Sequence, residues 1–240
     1  MIDRNYGLVE KWEKKESGVL HEETLLMRAC KAGAYGHKIQ YESCEIYQAH
    51  FTYLCGRPNV DLYRKRPDLF IGKLLICLSP EWEDFIRAQP VLHSILLRRL
   101  MKPMCKASSK TLHALPTGCR LYLFDEDAFR VHPYGHGAVY SSFEAFAKHG
   151  SGAVVRYGDK IISSASSHLT FENEVELDVT TDAEYRGKGL ADHCVAAMIN
   201  DCAKRGLIVH WDAKNTPSMN MALSHGFVLQ QEYAVYILKL

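Results

Sequence analysis

The chain has 240 residues, of which 47% are hydrophobic, enough for one large domain or two small ones with cores of their own. Its 29 basic and 28 acidic residues leave a formal net charge of +1, which argues against a nucleic-acid partner held by a strong overall field. The opening segment, "MIDRNYGLVEKWEKKESG", lacks the apolar core of a signal peptide, and the longest apolar stretch, "LFIGKLLICL", is too short to span a membrane. We therefore expect a soluble, cytoplasmic protein.

Helix and strand patterns alternate before residue 103. Helices are predicted at "LVEKWEKKE" and at "HEETLLMRACKAG", the latter ending at Gly33. The segments "CEIYQAHFTYLCG" and "DLFIGKLLICLS" each read as one strand. In "SPEWEDFIRAQ", Ser79 is placed as a helix N-cap with Pro80 at the first position, and "VLHSILLRRLMK" reads as a further amphipathic helix.

A change of composition at 103–118, "PMCKASSKTLHALPTG", marks a candidate linker. It predicts an N-terminal α/β region at 1–110 and a second domain at 111–240. In the second part, strands are predicted at "CRLYLFD", "GAVVRYG", "KIISSASSHLTF", "EVELDVTT", "LIVHWDA" and "EYAVYILKL", and helices at "SFEAFAKHG", at about 190–205 and at about 217–225. Strands that alternate with helices predict a layered α/β fold.

The stretch "EYRGKGLADH", residues 184–193, is either a solvated basic turn or a cradle for phosphate. It lacks the spacing of a Walker A loop, and Asp192 stands where a dinucleotide-binding loop needs its third glycine. Small residues at a helix start still allow close approach of a ligand, and successive N–H groups there point at one spot. Arg186 and Lys188 add positive charge, so a molecule with two linked phosphates would fit.

The strand before this loop alternates between apolar and acidic residues. Val175, Leu177 and Val179 share one face, whereas Glu174, Glu176 and Asp178 share the other. Two interpretations stay open: the acids line a wet cleft beside the loop, or they lie on an edge strand that faces solvent. The dense polar run at Ser164, Ser166, Ser167 and His168 is likewise either a set of substrate contacts or a set of satisfied core residues.

At this point the sequence resembles the GCN5-related N-acetyltransferase (GNAT) family. "YRGKGLA" matches the acyl-CoA loop of that family through Arg186, Gly189 and Ala191, and "HWDAKNTPSMNMALSHGF" matches a second element from Asn215 to Phe227. Within the family, "SASSH", "EVELDVTTDAEYRGKGLA" and "HWDAKN" are similar to bacterial zwittermicin-resistance-type acetyltransferases. The resemblance covers about 116–240, and the first hundred or so residues carry no motif that we can name.

The resemblance implies a GNAT-like twisted, splayed mixed sheet flanked by helices, with acetyl-CoA as co-substrate and an amine as acceptor. It implies that the pyrophosphate lies on the loop and that the pantetheine arm pairs with the strand before it. The implied acyl-CoA contacts are Leu177, Val179, Thr181, Arg186, Gly187, Lys188, Gly189, Leu190, Ala191, Asn215 and Ser218. For the proton of the amine we predict Glu174 or Glu176, directly or through water. A homodimer is an assembly that we leave open.

Tyrosine, cysteine and histidine residues are further candidates for chemistry. The tyrosine that many GNATs carry seven positions after the asparagine is replaced by Ala222, while Tyr233 and Tyr236 are expected to pack in the core. The eight scattered cysteines are expected to be free, buried thiols. His132 and His136 have a spacing that could seat a metal, but they lie in a loop without a third ligand, so we predict no metal.

Overall fold

The computed structural model describes residues 17–131 and 139–240. The predicted helix at "LVEKWEKKE" and the pair His132 and His136 lie outside these residues. In chain order the elements are α1 (Leu25–Lys31), β1 (His37–Tyr41), β2 (Cys44–Gln48), β3 (Thr52–Gly56), α2 (Val60–Lys65), β4 (Leu75–Cys77), α3 (Pro80–Arg87), β5 (Leu92–Met101), β6 (Cys119–Leu123), α4 (Glu126–Val131), α5 (Phe143–His149), β7 (Gly152–Tyr157), β8 (Lys160–Phe171), β9 (Glu174–Thr181), α6 (Leu190–Lys204), β10 (Ile208–His210), β11 (Asp212–Ala213), α7 (Thr216–Ser224) and β12 (Leu229–Leu238).

The chain forms two compact units that are each built from separate stretches of sequence. Unit 1 comprises the described residues up to Leu100 together with Ala213–Met219 and Leu229–Leu240, and unit 2 comprises Met101–Asp212 and Asn220–Val228. Compact units are not family domains, so the division into 1–110 and 111–240 stays a prediction. The mixed α/β class that the sequence predicts is confirmed, because helices flank two sheets that both contain parallel and antiparallel strands.

Unit 1 is organised around a seven-stranded sheet with the order β1-β2-β3-β4-β12-β5-β11. Its core includes Trp82 of α3, Phe70 just after the 3-10 turn Pro67–Leu69, and Tyr236 of β12, and none of the three has exposed surface. The predicted N-cap of α3 is confirmed, because Ser79 Oγ accepts a hydrogen bond from the Trp82 N–H at 3.3 Å. This cap and Pro80 start the helix that carries Trp82 into the core.

Three elements of unit 1 differ from the sequence prediction. "DLFIGKLLICLS" is not one strand, because it begins in a 3-10 turn at Pro67–Leu69 and only Leu75–Cys77 forms β4. "VLHSILLRRLMK" is not a helix but β5, because pairing within the sheet outweighs the helix propensity of its leucines and arginines. "CEIYQAHFTYLCG" is not one strand but the hairpin β2–β3, in which Cys44 pairs with Gly56 and Gln48 with Thr52. The chain turns at 49–51, where the Ala49 N–H donates to the Phe51 carbonyl at 2.8 Å.

Unit 2 is organised around a five-stranded sheet with the order β10-β9-β8-β7-β6, and different elements pack against its two faces. Ser163 of β8 bonds to Cys194 on α6 and to Thr181 of β9, so the odd-numbered residues of β9 face α6. On the opposite face, Val154 packs into an aromatic cluster with Phe124 and Phe146 from the segment that includes α4 and α5. The acidic residues of β9 share this second face, away from α6.

The predicted linker is irregular but is fixed to unit 2. Met104 exchanges two backbone hydrogen bonds with Val209, at 2.9 and 2.8 Å, and the Ser108 N–H donates to Asn200 Oδ1 on α6 at 3.0 Å. All eight cysteines are free thiols, as predicted, although only five are buried and Cys105 is exposed. Burial raises the pKa of Cys194 to about 12, which agrees with a packing role for this thiol.

Candidate functional site

The centre of the candidate site is the place where β9 loses its second neighbour. β9 pairs with β8 along its whole length, from Glu174 to Thr181. It pairs in parallel with β10 only at Glu174, Val175 and Glu176. From Leu177 onward, β9 therefore has a paired strand on one side only in the described part of unit 2, and its other edge is open to an extended ligand.

Alternation along β9 decides which backbone groups face the open edge. The Asp182 N–H donates to the Ile162 carbonyl at 2.9 Å, and the Thr180 carbonyl accepts from Ser163 Oγ at 3.1 Å, so even-numbered residues direct their backbone toward β8. In an antiparallel pair the intervening residues direct theirs away. Of the three residues predicted to bind pantetheine, Val179 and Thr181 thus present their N–H and C=O groups to the open edge. The parallel register of Glu176 with His210 turns the Leu177 N–H toward β10 and leaves only its C=O for that edge.

Two side chains already occupy part of this edge. The Asp178 carboxylate accepts a hydrogen bond from the Val179 N–H at 2.9 Å. The Arg186 guanidinium donates through Nε to the Thr181 carbonyl at 3.1 Å. A ligand that pairs with β9 in the manner of a strand therefore has to displace both side chains from the backbone.

The loop after β9 has the geometry of an anion-binding turn. Gly187 and Gly189 have φ angles of 74° and 73°, in the left-handed region that favours glycine. Gly189 is the N-cap of α6 and provides no side-chain hydrogen bond to the first turn. The Lys188 ammonium lies 5.0 Å from the centre of the Tyr185 ring, which holds a cation beside this turn. Two left-handed glycines and a positive charge thus lie together at one helix start.

Glu174 and Glu176 are buried, with 9% and 8% of their surface exposed, so the interpretation as a solvent-facing edge strand is wrong. His210 on β10 is also buried, pairs in register with Glu176, and bonds through Nε2 to the Glu174 carboxylate. Two carboxyl groups and an imidazole are therefore gathered where β9 and β10 separate. His210 was missed from the sequence, because only the parallel register brings it to the acids.

A pocket of ≈ 470 Å³ opens on the same face of the sheet as these acids. Its lining includes Asp127 and Val131 from α4, Lys160 and Ser164 from β8, and Thr180 from β9. The pocket borders β9 at Thr180, near the end of the strand, and neither Glu174 nor Glu176 lines it.

Comparison with known proteins decides the family. A profile of the GNAT acetyltransferase family matches residues 22–236. The chain belongs to the GNAT acetyltransferase family. The match begins well before residue 116, so it includes much of the N-terminal segment in which we could name no motif.

Individual relatives agree with this assignment. The chain is 32% identical over 171 residues to YdfB of Bacillus subtilis (strain 168), described as an uncharacterised N-acetyltransferase; the alignment covers 68% of this chain and 64% of YdfB. A GCN5-related N-acetyltransferase-like protein from Streptococcus suis 89/1591 has the same fold, with a TM-score of 0.71 and 24% identity over 90% of this chain and 93% of that one. A GCN5-related N-acetyltransferase from Kribbella flavida reaches a TM-score of 0.57 at 11% identity, covering 88% and 94% of the two chains. The zwittermicin-resistance branch stays a prediction.

The asparagine of the second GNAT motif has a structural role within unit 1. Asn215 is buried, and its Oδ1 accepts from the Ser218 N–H at 2.9 Å, which caps the start of α7. This bond leaves the Nδ2 amide as the group that can donate to a ligand. The assignment of Asn215 and Ser218 to the pantetheine arm stays a prediction from the family resemblance.

The position of the usual GNAT tyrosine is filled by Ala222, which has no exposed surface. Tyr236 packs in the core of unit 1 and donates to the buried Glu83 at 2.5 Å; burial is the main reason why its pKa is raised. Tyr233 is fully buried as well. The core role predicted for both tyrosines agrees with this burial.

The polar run on β8 divides into two kinds of residue. Ser167 is satisfied inside unit 2, since its Oγ accepts from the Tyr140 hydroxyl at 2.8 Å and from the Ser151 N–H at 3.0 Å. Ser166 is opposite Asp178, and its buried hydroxyl has no hydrogen-bond partner among the described residues. Ser167 is thus a satisfied core residue, whereas the Ser166 hydroxyl is left without a partner among the described residues.

The described residues contain neither a cluster of metal ligands nor a helix suited to crossing a membrane. Residues 17–131 and 139–240 contain no group of three or more His, Cys, Asp or Glu side chains arranged to hold a metal ion. Over the same ranges, no helix combines the length and the apolar character that crossing a membrane requires.

Proposed function

We propose that this protein is an acetyl-CoA-dependent N-acetyltransferase that transfers the acetyl group directly to an amine. The observation that carries the proposal is the open edge of β9, which runs directly into the glycine turn at the start of α6. A strand edge suits the amide-bearing pantetheine arm, and a helix start suits the linked phosphates at its end. Membership of the GNAT family supports the same pair of contacts.

The donor is bound by backbone groups and by two cations. Leu177, Val179 and Thr181 pair with the pantetheine amides, and the N–H groups from Gly187 to Ala191 receive the pyrophosphate. Arg186 leaves the Thr181 carbonyl and, together with Lys188, meets the phosphate charge. The left-handed glycines permit this turn, because a side chain at either position would strain the backbone.

The acceptor approaches from the acidic face. Its neutral amine attacks the thioester carbonyl, the C–S bond breaks, and the coenzyme leaves as a thiolate that takes up a proton from solvent. Glu174 or Glu176 receives the proton from the amine, directly or through water, and His210 holds the Glu174 carboxylate in place. The alignment of amine and thioester supplies a large part of the rate enhancement.

The test of catalysis is the release of free thiol from acetyl-CoA in the presence of amino acids, polyamines, aminoglycosides and peptides. Steady, amine-dependent release supports the enzyme. Ala222 in place of the usual tyrosine favours a second candidate, a non-catalytic acyl-CoA-binding module whose N-terminal region binds a protein. Tight binding of acetyl-CoA without turnover across the panel would select that candidate instead.

Binding is tested with a matched pair of glycine variants. Gly189 and Gly206 have φ angles of 73° and 69°, and a Cβ atom at either would meet nothing within 4 Å. Gly189→Glu and Gly206→Glu therefore suffer similar backbone strain at the two ends of α6, but only the former places a negative charge at the phosphate turn. Acetyl-CoA at 100 times its Kd stabilises a protein by about 2.7 kcal/mol, which a melting assay detects.

We expect acetyl-CoA, and not NAD, to raise the Tm of the wild-type protein and of Gly206→Glu. Gly189→Glu should fold and lose the shift. An undiminished shift in that variant would mean that the pyrophosphate lies elsewhere.

A further inference from the structure

A cluster of polar side chains joins the irregular segment 103–118 to the first turn of α6. The Lys110 ammonium bonds to Asp192 Oδ1, and also donates to Ser224 Oγ at 2.9 Å. The same Oδ1 lies 3.0 Å from Nε2 of His225, whose Nδ1 lies 2.8 Å from Ser108 Oγ. All of these residues belong to unit 2.

The proton positions in this cluster follow from the groups present. A carboxylate can only accept, so His225 donates from Nε2 and keeps a lone pair on Nδ1, which accepts from the Ser108 hydroxyl. Burial is the main reason why the pKa of His225 is lowered, which keeps the ring neutral. Ser, His and Asp occur here in the order of a hydrolytic triad, but His225 has no exposed surface through which a substrate could reach it. The cluster is therefore not a second catalytic centre. We call it the clasp, because it holds the Asp192 carboxylate in place.

The clasp acts on the charge of Asp192. This carboxylate lies in the first turn of α6, two residues after Leu190, beside the N–H groups that the proposed function assigns to the pyrophosphate. A negative charge there stabilises the helix but repels a bound anion. The Lys110 ammonium opposes that charge directly, while His225 and Ser108 hold the carboxylate in one orientation.

We propose that Lys110 is a positioning residue for the donor: by neutralising Asp192 it makes the first turn of α6 receptive to the diphosphate of acetyl-CoA. The inference rests on the proposed function. It also assigns a role to the segment 103–118, which contains Lys110 and places it beside Asp192. The Ser108 N–H is held by Asn200, and the Lys110 N–H donates to Ser108 Oγ at 3.3 Å, so this turn directs Lys110 toward α6.

The test compares two donors and four proteins by titration calorimetry. S-acetylpantetheine carries the thioester and the pantetheine amides without the diphosphate, whereas acetyl-CoA carries both. The proteins are the wild type, Lys110→Met, Lys110→Arg and the double variant Lys110→Met with Asp192→Asn. Their Tm values are recorded so that binding is measured well below unfolding.

We expect Lys110→Met to raise the Kd for acetyl-CoA about tenfold, a size that charges at partly buried helix termini reach, and to leave the Kd for S-acetylpantetheine unchanged. Lys110→Arg should retain the wild-type Kd, and the double variant should return to within about threefold of it, because the repelling charge is gone.

A double variant as weak as Lys110→Met would overturn the proposal, since Lys110 would then act on the phosphates itself or only through folding. Equal weakening for both donors would overturn it too. If the wild-type protein binds neither donor, it is the proposed function that fails, and this outcome is distinct from the others.

Discussion

Removal of the Asp178 side chain should tighten the binding of the donor. In the structure its carboxylate accepts from the Val179 N–H at 2.9 Å, and this N–H is one that the pantetheine arm needs. A hydrogen bond to a charged group contributes about 1.5 kcal/mol, so ending the competition corresponds to roughly a tenfold lower Kd. Asp178→Ala is therefore expected to bind acetyl-CoA about tenfold more tightly, and Asp178→Asn about threefold, because a neutral amide oxygen competes less strongly.

Both donors serve in this assay, because acetyl-CoA and S-acetylpantetheine carry the same amides. Titration calorimetry should give the same ratio of Kd values between variant and wild type for each donor. A gain confined to acetyl-CoA would mean that Asp178 acts through its charge on the phosphates. A Kd in Asp178→Ala that equals or exceeds the wild-type value for both donors would refute the argument that β9 is capped by its own side chain.

The remaining predictions concern catalysis and stability. Glu176→Gln should lower kcat roughly 100-fold or more with little change in the KM for acetyl-CoA; an unchanged kcat would exclude it as the base. Glu83→Ala should lower the free energy of unfolding by about 3–5 kcal/mol, because the Tyr236 hydroxyl, the Gly18 N–H and the Arg87 guanidinium lose the buried carboxylate that accepts from them. Glu83→Gln should lower it by less. Burial opposes ionisation of Glu83, but the hydrogen bonds to its carboxylate outweigh burial and lower its pKa. The contribution of Glu83 to the free energy of unfolding is therefore complete above pH 4.5 and is lost as the pH falls through the pKa of the folded state. Acid denaturation of Glu83→Gln should lack this loss. The pKa of His225 is also lowered, so stability should decline as the pH falls below 6.5, and a flat denaturant midpoint between about pH 5 and 7 would contradict this. Arg205→Ala should cost about 2 kcal/mol in chemical denaturation, since this guanidinium donates to three carbonyls at the end of α5, and Arg205→Lys should recover only part of that loss.

The parts of the fold that the sequence predicts well are those fixed by local interactions. Ser79 and Pro80 mark the start of α3, and two glycines at positive φ mark the turn before α6, because caps and turns depend on a few consecutive residues. The alternation in β9 is also local, and the structure places its acids and its apolar residues on opposite faces.

The parts that were missed depend on pairing over long distances. β5 has a helical pattern of leucines and becomes a strand only because it lies between β12 and β11 in the sheet. In the candidate site, the burial of Glu174 and its bond to His210 follow from the parallel register of β9 and β10, which no single segment encodes. The position of Lys110 beside Asp192 likewise joins residues 82 positions apart.

The place of β12 in the sheet of unit 1 has a consequence for biosynthesis. β12 lies between β4 and β5, and Tyr236 pairs with Leu75. The Gly72 N–H donates to the Leu238 carbonyl at 2.8 Å, and the Lys239 N–H donates to the Val91 carbonyl at 2.9 Å. A ribosome makes β1–β5 long before β12, so these strands emerge with a central partner missing and with the edge of β4 unprotected. The sheet of unit 1 therefore cannot be completed until β12 has been synthesised, although its first strand is among the earliest elements made.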